Sequence, residues 1–232
     1  MESPMVIQVE HIFQLQEQCL QHALQGVMEE FTFIKRCIEL MLNHRVHKEA
    51  IEVLDEDDRE RIRAVNTYLN ESLSHLMISV KLALYGANIE SLAILRNAYE
   101  RMTNMAAVVE NQNIPHQLKY KTAVQKIKAR KEIQQRHGEL STRATHVEKS
   151  MSQHFTLDGN SYPAIGVAID PGRTRSVMRE LMNASLYIVR VLTSFYNLKR
   201  EMVGEAYFHQ VQSLEEQYNT LSRSLARPTQ GA

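Results

Sequence analysis

Arg96 and Glu100 stand four residues apart in Ile89-Glu-Ser-Leu-Ala-Ile-Leu-Arg-Asn-Ala-Tyr-Glu-Arg-Met-Thr-Asn-Met-Ala-Ala-Val-Val109, a run otherwise apolar enough to form the buried centre of a helical domain. At 100° per residue the two lie one turn apart beside Ile89, Ala93 and Ala107, and outside the polar face of Glu90, Asn97, Arg101 and Asn104. Both are therefore expected to be part-buried. Ionised groups removed from water are costly unless paired, so a chain that keeps two of them there uses them to fix packing or to do chemistry.

A second group lies in His137-Gly-Glu-Leu-Ser-Thr-Arg-Ala-Thr-His146. An imidazole can take and return a proton near neutral pH, and a guanidinium can hold a phosphate or the charge that develops on it. His146 as acid/base, Arg143 and Arg96 as cationic anchors and Glu100 to orient them would suffice for metal-free cleavage of RNA through the ribose 2′-hydroxyl. Packing accounts for the same residues, with His146 a hydrogen-bonded interior imidazole and Arg96 paired to Glu100. Both readings stay open. Around this group, His116 to Lys149 holds nine Lys or Arg against three Glu. Lys119, Lys121, Lys126, Lys128, Arg130 and Lys131 do not share one helical face, and Tyr120 is the only aromatic among them that could stack on a base. The alternative is a solvated helix neutralised by an acidic surface such as Glu52 to Glu60.

Other chemistries lack their motifs. No Glu stands three residues before a His as in di-iron bundles, and there is no His-Glu-x-x-His, Gly-rich phosphate loop or Cys-x-x-Cys. His44 and His47, with Glu49 nearby, have the spacing of a surface metal pair but equally of a basic helix end that complements the dipole. No metal and no cofactor are expected.

The elements that must position these groups are helices. The chain has 232 residues, 44% apolar, no Trp, 8 Gly and 5 Pro, with 27 basic and 27 acidic side chains. That composition points to one compact all-α domain without a global field towards nucleic acid or membrane. From Val9 to about His44, Leu20, Leu24, Val27, Phe31, Ile34, Ile38 and Met41 recur at steps of four and three, giving a long amphipathic helix. Cys19 and Cys37 would lie roughly 27 Å apart along it, too far for a disulfide. Two free thiols, with no leader and no run of about 18 apolar residues, point to a cytoplasmic protein with no membrane span. Acidic residues from Glu52 to Asp58 open a second helix that Gly86 ends; the third carries Arg96 and Glu100 and closes before Pro115. A charged fourth helix is expected from about His116 to His137, with Gly138 as its stop.

Phe155 to Gly172 resists a helical reading and suggests a loop or small hairpin that covers a site. The last core helix, with Val177, Leu181, Ala184, Ile188, Val191, Phe195, Leu198 and Met202 in register and Tyr187, Val189, Leu192 and Tyr196 beyond them, carries more apolar surface than one neighbour needs. A homodimer would use the surplus, and so would burial at the centre of the bundle. The expected architecture is a single bundle of about six helices: an N-terminal helix over residues 1–50, a core over 51–203 with the 155–172 loop, and a C-terminal helix and tail over 204–232.

Tyr85-Gly-Ala-Asn-Ile-Glu-Ser-Leu-Ala-Ile-Leu-Arg-Asn-Ala-Tyr-Glu100 together with Leu140-Ser-Thr-Arg-Ala-Thr-His146 resembles a group of bacterial helical proteins related to the HEPN superfamily (higher eukaryotes and prokaryotes nucleotide-binding). The group's glycine, Leu-Leu-Arg with a Glu one turn on, and Leu-Ser with a nearby His map onto Gly86, Leu95, Arg96, Glu100, Leu140, Ser141 and His146. The resemblance spans roughly Ile62 to Phe195. It implies an all-α fold, often dimeric, and in many members a metal-independent ribonuclease of toxin or phage-defence systems; other members are non-catalytic. Active members carry an Arg followed by four to six residues and a His, a spacing that Arg130 and His137 also satisfy, although Lys131 follows the Arg and the pair precedes the loop. The expected partners are thus RNA or a nucleotide, a second copy of the chain, or, in a non-catalytic interaction module, another protein.

Overall fold

The computed structural model describes residues 9–43, 54–111, 118–145, 154–157, 160–163 and 171–226. Among these the chain forms eight α-helices and one hairpin: α1 (Val9–Gly26), α2 (Met28–Asn43), α3 (Glu56–Leu84), α4 (Asn88–Glu110), α5 (Tyr120–Val124), α6 (Arg130–Thr145), β1 (His154–Leu157), β2 (Asn160–Pro163), α7 (Pro171–Leu198) and α8 (Glu205–Ala226). A 3-10 turn, Arg200–Met202, joins α7 to α8. The all-α bundle expected from composition and periodicity is present, and side chains from α2, α3, α4, α7 and α8 such as Phe33, Leu76, Leu95, Leu181 and Leu214 share one core. No helix among the described residues is long and apolar enough to cross a membrane.

The periodic run from Val9 is two helices rather than one. It bends at Val27, although the Val27 N–H still reaches the Ala23 carbonyl at 3.0 Å and the Phe31 N–H the Val27 carbonyl at 2.9 Å. Arg175 of α7 donates to the Gly26 carbonyl at the bend and pairs with the buried Glu30 carboxylate at 3.6 Å. A side chain that inserts into the hydrogen-bond ladder is a common cause of such a bend.

Both ends of α3 are set locally. Asp55 caps it by accepting from the Asp58 N–H at 2.8 Å, and Glu56, Asp57 and Asp58 occupy the first turn where the macrodipole favours anions. At the other end Gly86 takes φ 80°, while its N–H reaches the Ala83 carbonyl and the Ala87 N–H the Leu82 carbonyl. That is the paired bonding of a Schellman stop, which a side chain at Gly86 would strain. The chain turns back into α4, and the two helices approach closely because small residues face each other. The Ser79 and Ser91 hydroxyls lie 2.9 Å apart, and Ser91 also donates to the Ser79 carbonyl at 2.8 Å.

α4 packs against α3, α5, α6 and α7, and every residue from Met102 to Val109 is buried. Asn104 belongs to that buried run rather than to a polar face: its side chain donates to the Leu118 carbonyl at 3.1 Å under the segment that leads into α5. α7 is equally central, in contact with α2, α3 and α4. Its surplus apolar positions, Val189, Leu192 and Tyr196, are buried within this one chain and do not require a second copy. Leu198 departs from the expected stripe: it ends the helix at 59% exposure, and Met202 reaches the core from the 3-10 turn instead.

The charged fourth helix is also different from expectation. α5 is a single short piece, the chain turns between residues 125 and 129, and α6 then runs through Gly138 to Thr145. Gly138 is not a stop. Ile133 and Leu140, seven residues apart, are buried on the face that α6 turns to α4, and that packing outweighs the low helix propensity of one glycine. The region read as a loop or hairpin does form an antiparallel hairpin, with Phe155 opposite Tyr162. Its side chains, and residues 158, 159 and 164–170, lie outside the described residues, as does any cover they give a site.

Gly138 is exposed, and a Cβ built on it meets nothing within 4 Å. Gly138→Ala should therefore raise stability by about 1 kcal/mol, read as a higher urea midpoint at unchanged m-value. A loss of stability would show that the glycine is needed for a bend in α6.

Candidate functional site

α6 lies antiparallel to α4. Glu110 accepts from the Lys128 N–H at 2.7 Å near one end of the pair, and Glu100 meets His137 further along. Ten residues back on α4 thus match nine forward on α6, which brings Arg96 level with Ser141. At 100° per residue Arg130, His137 and Ser141 fall on one flank of α6, and Arg136 and Arg143 on the other. The two flanks have different partners.

On the first flank His137 Nε2 lies 3.0 Å from Glu100 Oε1, and Arg96 Nε lies 3.7 Å from the same oxygen. An ionised carboxylate can only accept, so Nε2 is the donor in this contact, and Nδ1 has no partner among the described residues. The Tyr120 ring stacks on the imidazole with centroids 4.5 Å apart and planes 26° from parallel. One face of the Tyr120 ring is therefore covered by His137. Its hydroxyl is buried without a partner among the described residues, and burial, reinforced by Glu100, raises its pKa above the usual tyrosine range. Side-chain exposures of 37% for Arg96, 32% for Glu100 and 20% for His137 place the cluster at the rim of the core, part-buried as expected but open to water. Arg96 makes no hydrogen bond among the described residues; only its Nε is buried, which leaves the end of the guanidinium to solvent.

On the second flank Arg143 donates to Glu180 at 3.1 Å and to Ser176 at 3.2 Å, and Arg136 reaches the same carboxylate at 3.6 Å. Arg143 is thus drawn to α7 and does not join Arg96 and Glu100. His146 lies outside the described residues, as do His44, His47 and Glu49. Of the expected site residues, Arg96, Glu100 and His137 come together; Ser141 and Arg130 share the flank of α6 that carries His137. Sequence reasoning did not name Glu180 or Tyr120 as partners. Glu180 was discoverable as the sole acid in α7, a helix that carries four arginines.

Lys119, Lys121, Lys126, Lys128, Arg130 and Lys131 are all exposed. None pairs with an acid among the described residues. Within the acidic surface from Glu52 to Glu60, Asp55 caps α3, Glu56 pairs with Arg63 at 3.2 Å and Asp58 pairs with Lys199, while Glu52 lies outside the described residues. Among the described residues no group of three or more His, Cys, Asp or Glu could hold a metal ion. Cys37 is no nucleophile, since it is fully buried and burial pushes its thiol up to about 12.

Three expectations follow from these environments. Cys37 should resist thiol reagents at pH 8 and label only at the rate of global unfolding; rapid labelling of the native chain at Cys37 would contradict its burial. Glu100→Ala leaves Arg96 and His137 without their shared acceptor and should cost about 1 kcal/mol, the modest figure appropriate to a part-exposed pair. Tyr120→Phe keeps the stack and removes an unpartnered hydroxyl, so thermal melts should show stability unchanged or slightly raised. Comparison with family models, with curated proteins and with solved structures found no match to this chain.

Proposed function

We propose that this chain is a HEPN-like helical protein that binds RNA, and that the Glu100–His137 pair equips it to cleave the strand without a metal. One observation supports this reading above the others: six exposed cations without acidic partners among the described residues lie on the α5–α6 segment that also supplies His137 and Tyr120, in a chain whose net charge is zero. Unneutralised cations on one segment attract a polyanion by counterion release and need no global charge. His137 Nδ1 would take the proton of a ribose 2′-hydroxyl as its oxygen attacks phosphorus, and the imidazolium would return it to the departing 5′-oxygen. Arg96, tethered to Glu100 and open to solvent, would meet the phosphate charge, while Glu100 holds the imidazole tautomer.

A non-catalytic interaction module is the second reading. It is favoured by the way each carboxylate already satisfies two cations, Glu100 with Arg96 and His137, Glu180 with Arg136 and Arg143, which is what packing alone would need.

Purified protein should cleave single-stranded RNA in the presence of chelator and leave 2′,3′-cyclic ends. His137→Ala should abolish cleavage with the circular-dichroism spectrum intact; His146→Ala run beside it tests the imidazole that lies outside the described residues. RNA affinity should fall with salt, at a slope of roughly −0.7 per phosphate contact, and the Lys126→Glu/Lys128→Glu double variant should flatten it. Binding without cleavage would favour the interaction module, and affinity insensitive to salt and to charge reversal would reject the RNA reading.

A further inference from the structure

His137 is placed to be a nucleophile as well as to move a proton. Its Nε2 is fixed 3.0 Å from Glu100 Oε1, and its Nδ1 has no partner among the described residues. Nδ1 of His75 is enclosed without a hydrogen bond, whereas the His137 side chain keeps 20% of its surface in water and its Nδ1 is not enclosed in this way. The stacked Tyr120 ring covers a face of the imidazole and not the edge where the nitrogens lie. In the neutral ring, a proton on Nε2 leaves the Nδ1 lone pair in the ring plane, directed outwards and able to attack.

Two neighbours select the electrophile. Arg96 Nε lies 3.7 Å from the oxygen that holds the imidazole, and the end of its guanidinium is open to solvent. A guanidinium presents paired N–H donors that match the oxygens of a phosphoryl group. Glu100 is the second neighbour: attack by Nδ1 turns the ring into a cation, and the carboxylate that accepts from Nε2 faces that charge as it forms. The exposed Lys126, Lys128, Arg130 and Lys131 draw an anionic donor towards α6.

We infer that His137 is a phosphoryl acceptor, modified at Nδ1 by a donor of the phosphoramidate class. The Nδ1 lone pair forms a bond to phosphorus, and the bond from phosphorus to the donor's nitrogen breaks with its electron pair going to the departing amine. One phosphorus–nitrogen bond replaces another, and nothing is oxidised or reduced. The Nε2 proton stays in place, on a ring whose positive charge is paired with Glu100. Arg96 meets the phosphoryl oxygens, and Glu100 acts through the imidazole as a positioning residue. Phosphoryl transfer here does not depend on RNA cleavage, yet a phosphorylated Nδ1 could not take the proton of a ribose 2′-hydroxyl, so modification would switch the proposed nuclease off.

The full chain is incubated with potassium phosphoramidate, and modified histidines are located by peptide mapping at alkaline pH, where N-phosphohistidine survives. His209, exposed on α8, reports unassisted reaction in the same sample. His137 should gain an acid-labile phosphoryl group on the order of tenfold faster than His209. Arg96→Ala and Glu100→Ala, with folding checked by circular dichroism, should each slow His137 about tenfold and leave His209 unchanged. Glu100→Gln keeps an acceptor for the Nε2 proton and should restore part of the rate, which a merely structural role for Glu100 would not require. Where the chain cleaves RNA, prior phosphorylation should remove cleavage in proportion to occupancy of His137. A chain that is phosphorylated at His137 in this way but never cleaves RNA upholds the acceptor while the RNA reading fails. Reaction at His137 no faster than at His209, or a rate that Arg96→Ala and Glu100→Ala leave unchanged, overturns the inference.

Discussion

Burial of the second half of α4 on every side is the constraint from which the other contacts follow. Its last carbonyls cannot turn to water, and an unsatisfied buried carbonyl costs about 1 to 3 kcal/mol. Arg61, itself almost fully buried, answers this by donating to the Val108 and Val109 carbonyls from α3. Burial lowers its pKa and Asp58 opposes that shift, so the cation at the helix C-terminus, where the dipole is negative, is retained. Just beyond, Asn111 donates to the Lys126 carbonyl at 2.9 Å and Glu110 accepts from the Lys128 N–H. The end of α4 is thereby fastened to the start of α6, and this fixed point sets the register in which Glu100 meets His137. The site depends on how a buried helix end satisfies its carbonyls.

The same register divides the labour of α6. Arg136 and Arg143 converge on Glu180, a mostly buried carboxylate that hydrogen-bonds one guanidinium and pairs with the other, so this flank cements α6 to α7. The other flank leaves a histidine beside an arginine and a glutamate at the rim. Arg96 and Glu100, part-buried as expected at about one-third exposure, form an ordinary i,i+4 pair worth roughly 0.3 to 0.5 kcal/mol. So small a contribution gives stability little reason to place them there, and interest passes to the imidazole that the carboxylate holds.

Elements with long apolar periods were legible in the sequence because a stripe of Leu, Val and Ile has one efficient partner, a core. α3, α4 and α7 are of this kind, and so is the stop at Gly86. The misreadings share a different physics. Gly138 was taken as a stop because its local propensity is poor, but Ile133 and Leu140 gain more from burial than the glycine loses. Asn104 was assigned to a polar face because its type is polar, yet a single donor bond to Leu118 makes its burial tolerable. In each case a tertiary partner, invisible along the chain, reversed a local preference.

The site was half legible for the same reason. Helical phase alone puts Arg96 and Glu100 together, since both sit on one helix, and it puts Arg136 and Arg143 on a flank apart from His137. It does not say which helix each flank will face. Only the α4–α6 register decides that Glu100 takes His137 and that Arg143 goes to Glu180. A catalytic proposal drawn from types and spacing therefore tends to gather every attractive residue into one cluster, whereas a packed bundle distributes them according to which flank has a neighbour with an unmet charge. The residues that packing leaves with unused capacity, here the His137 nitrogen that has no partner among the described residues and the outer end of Arg96, are the ones with chemistry still to offer.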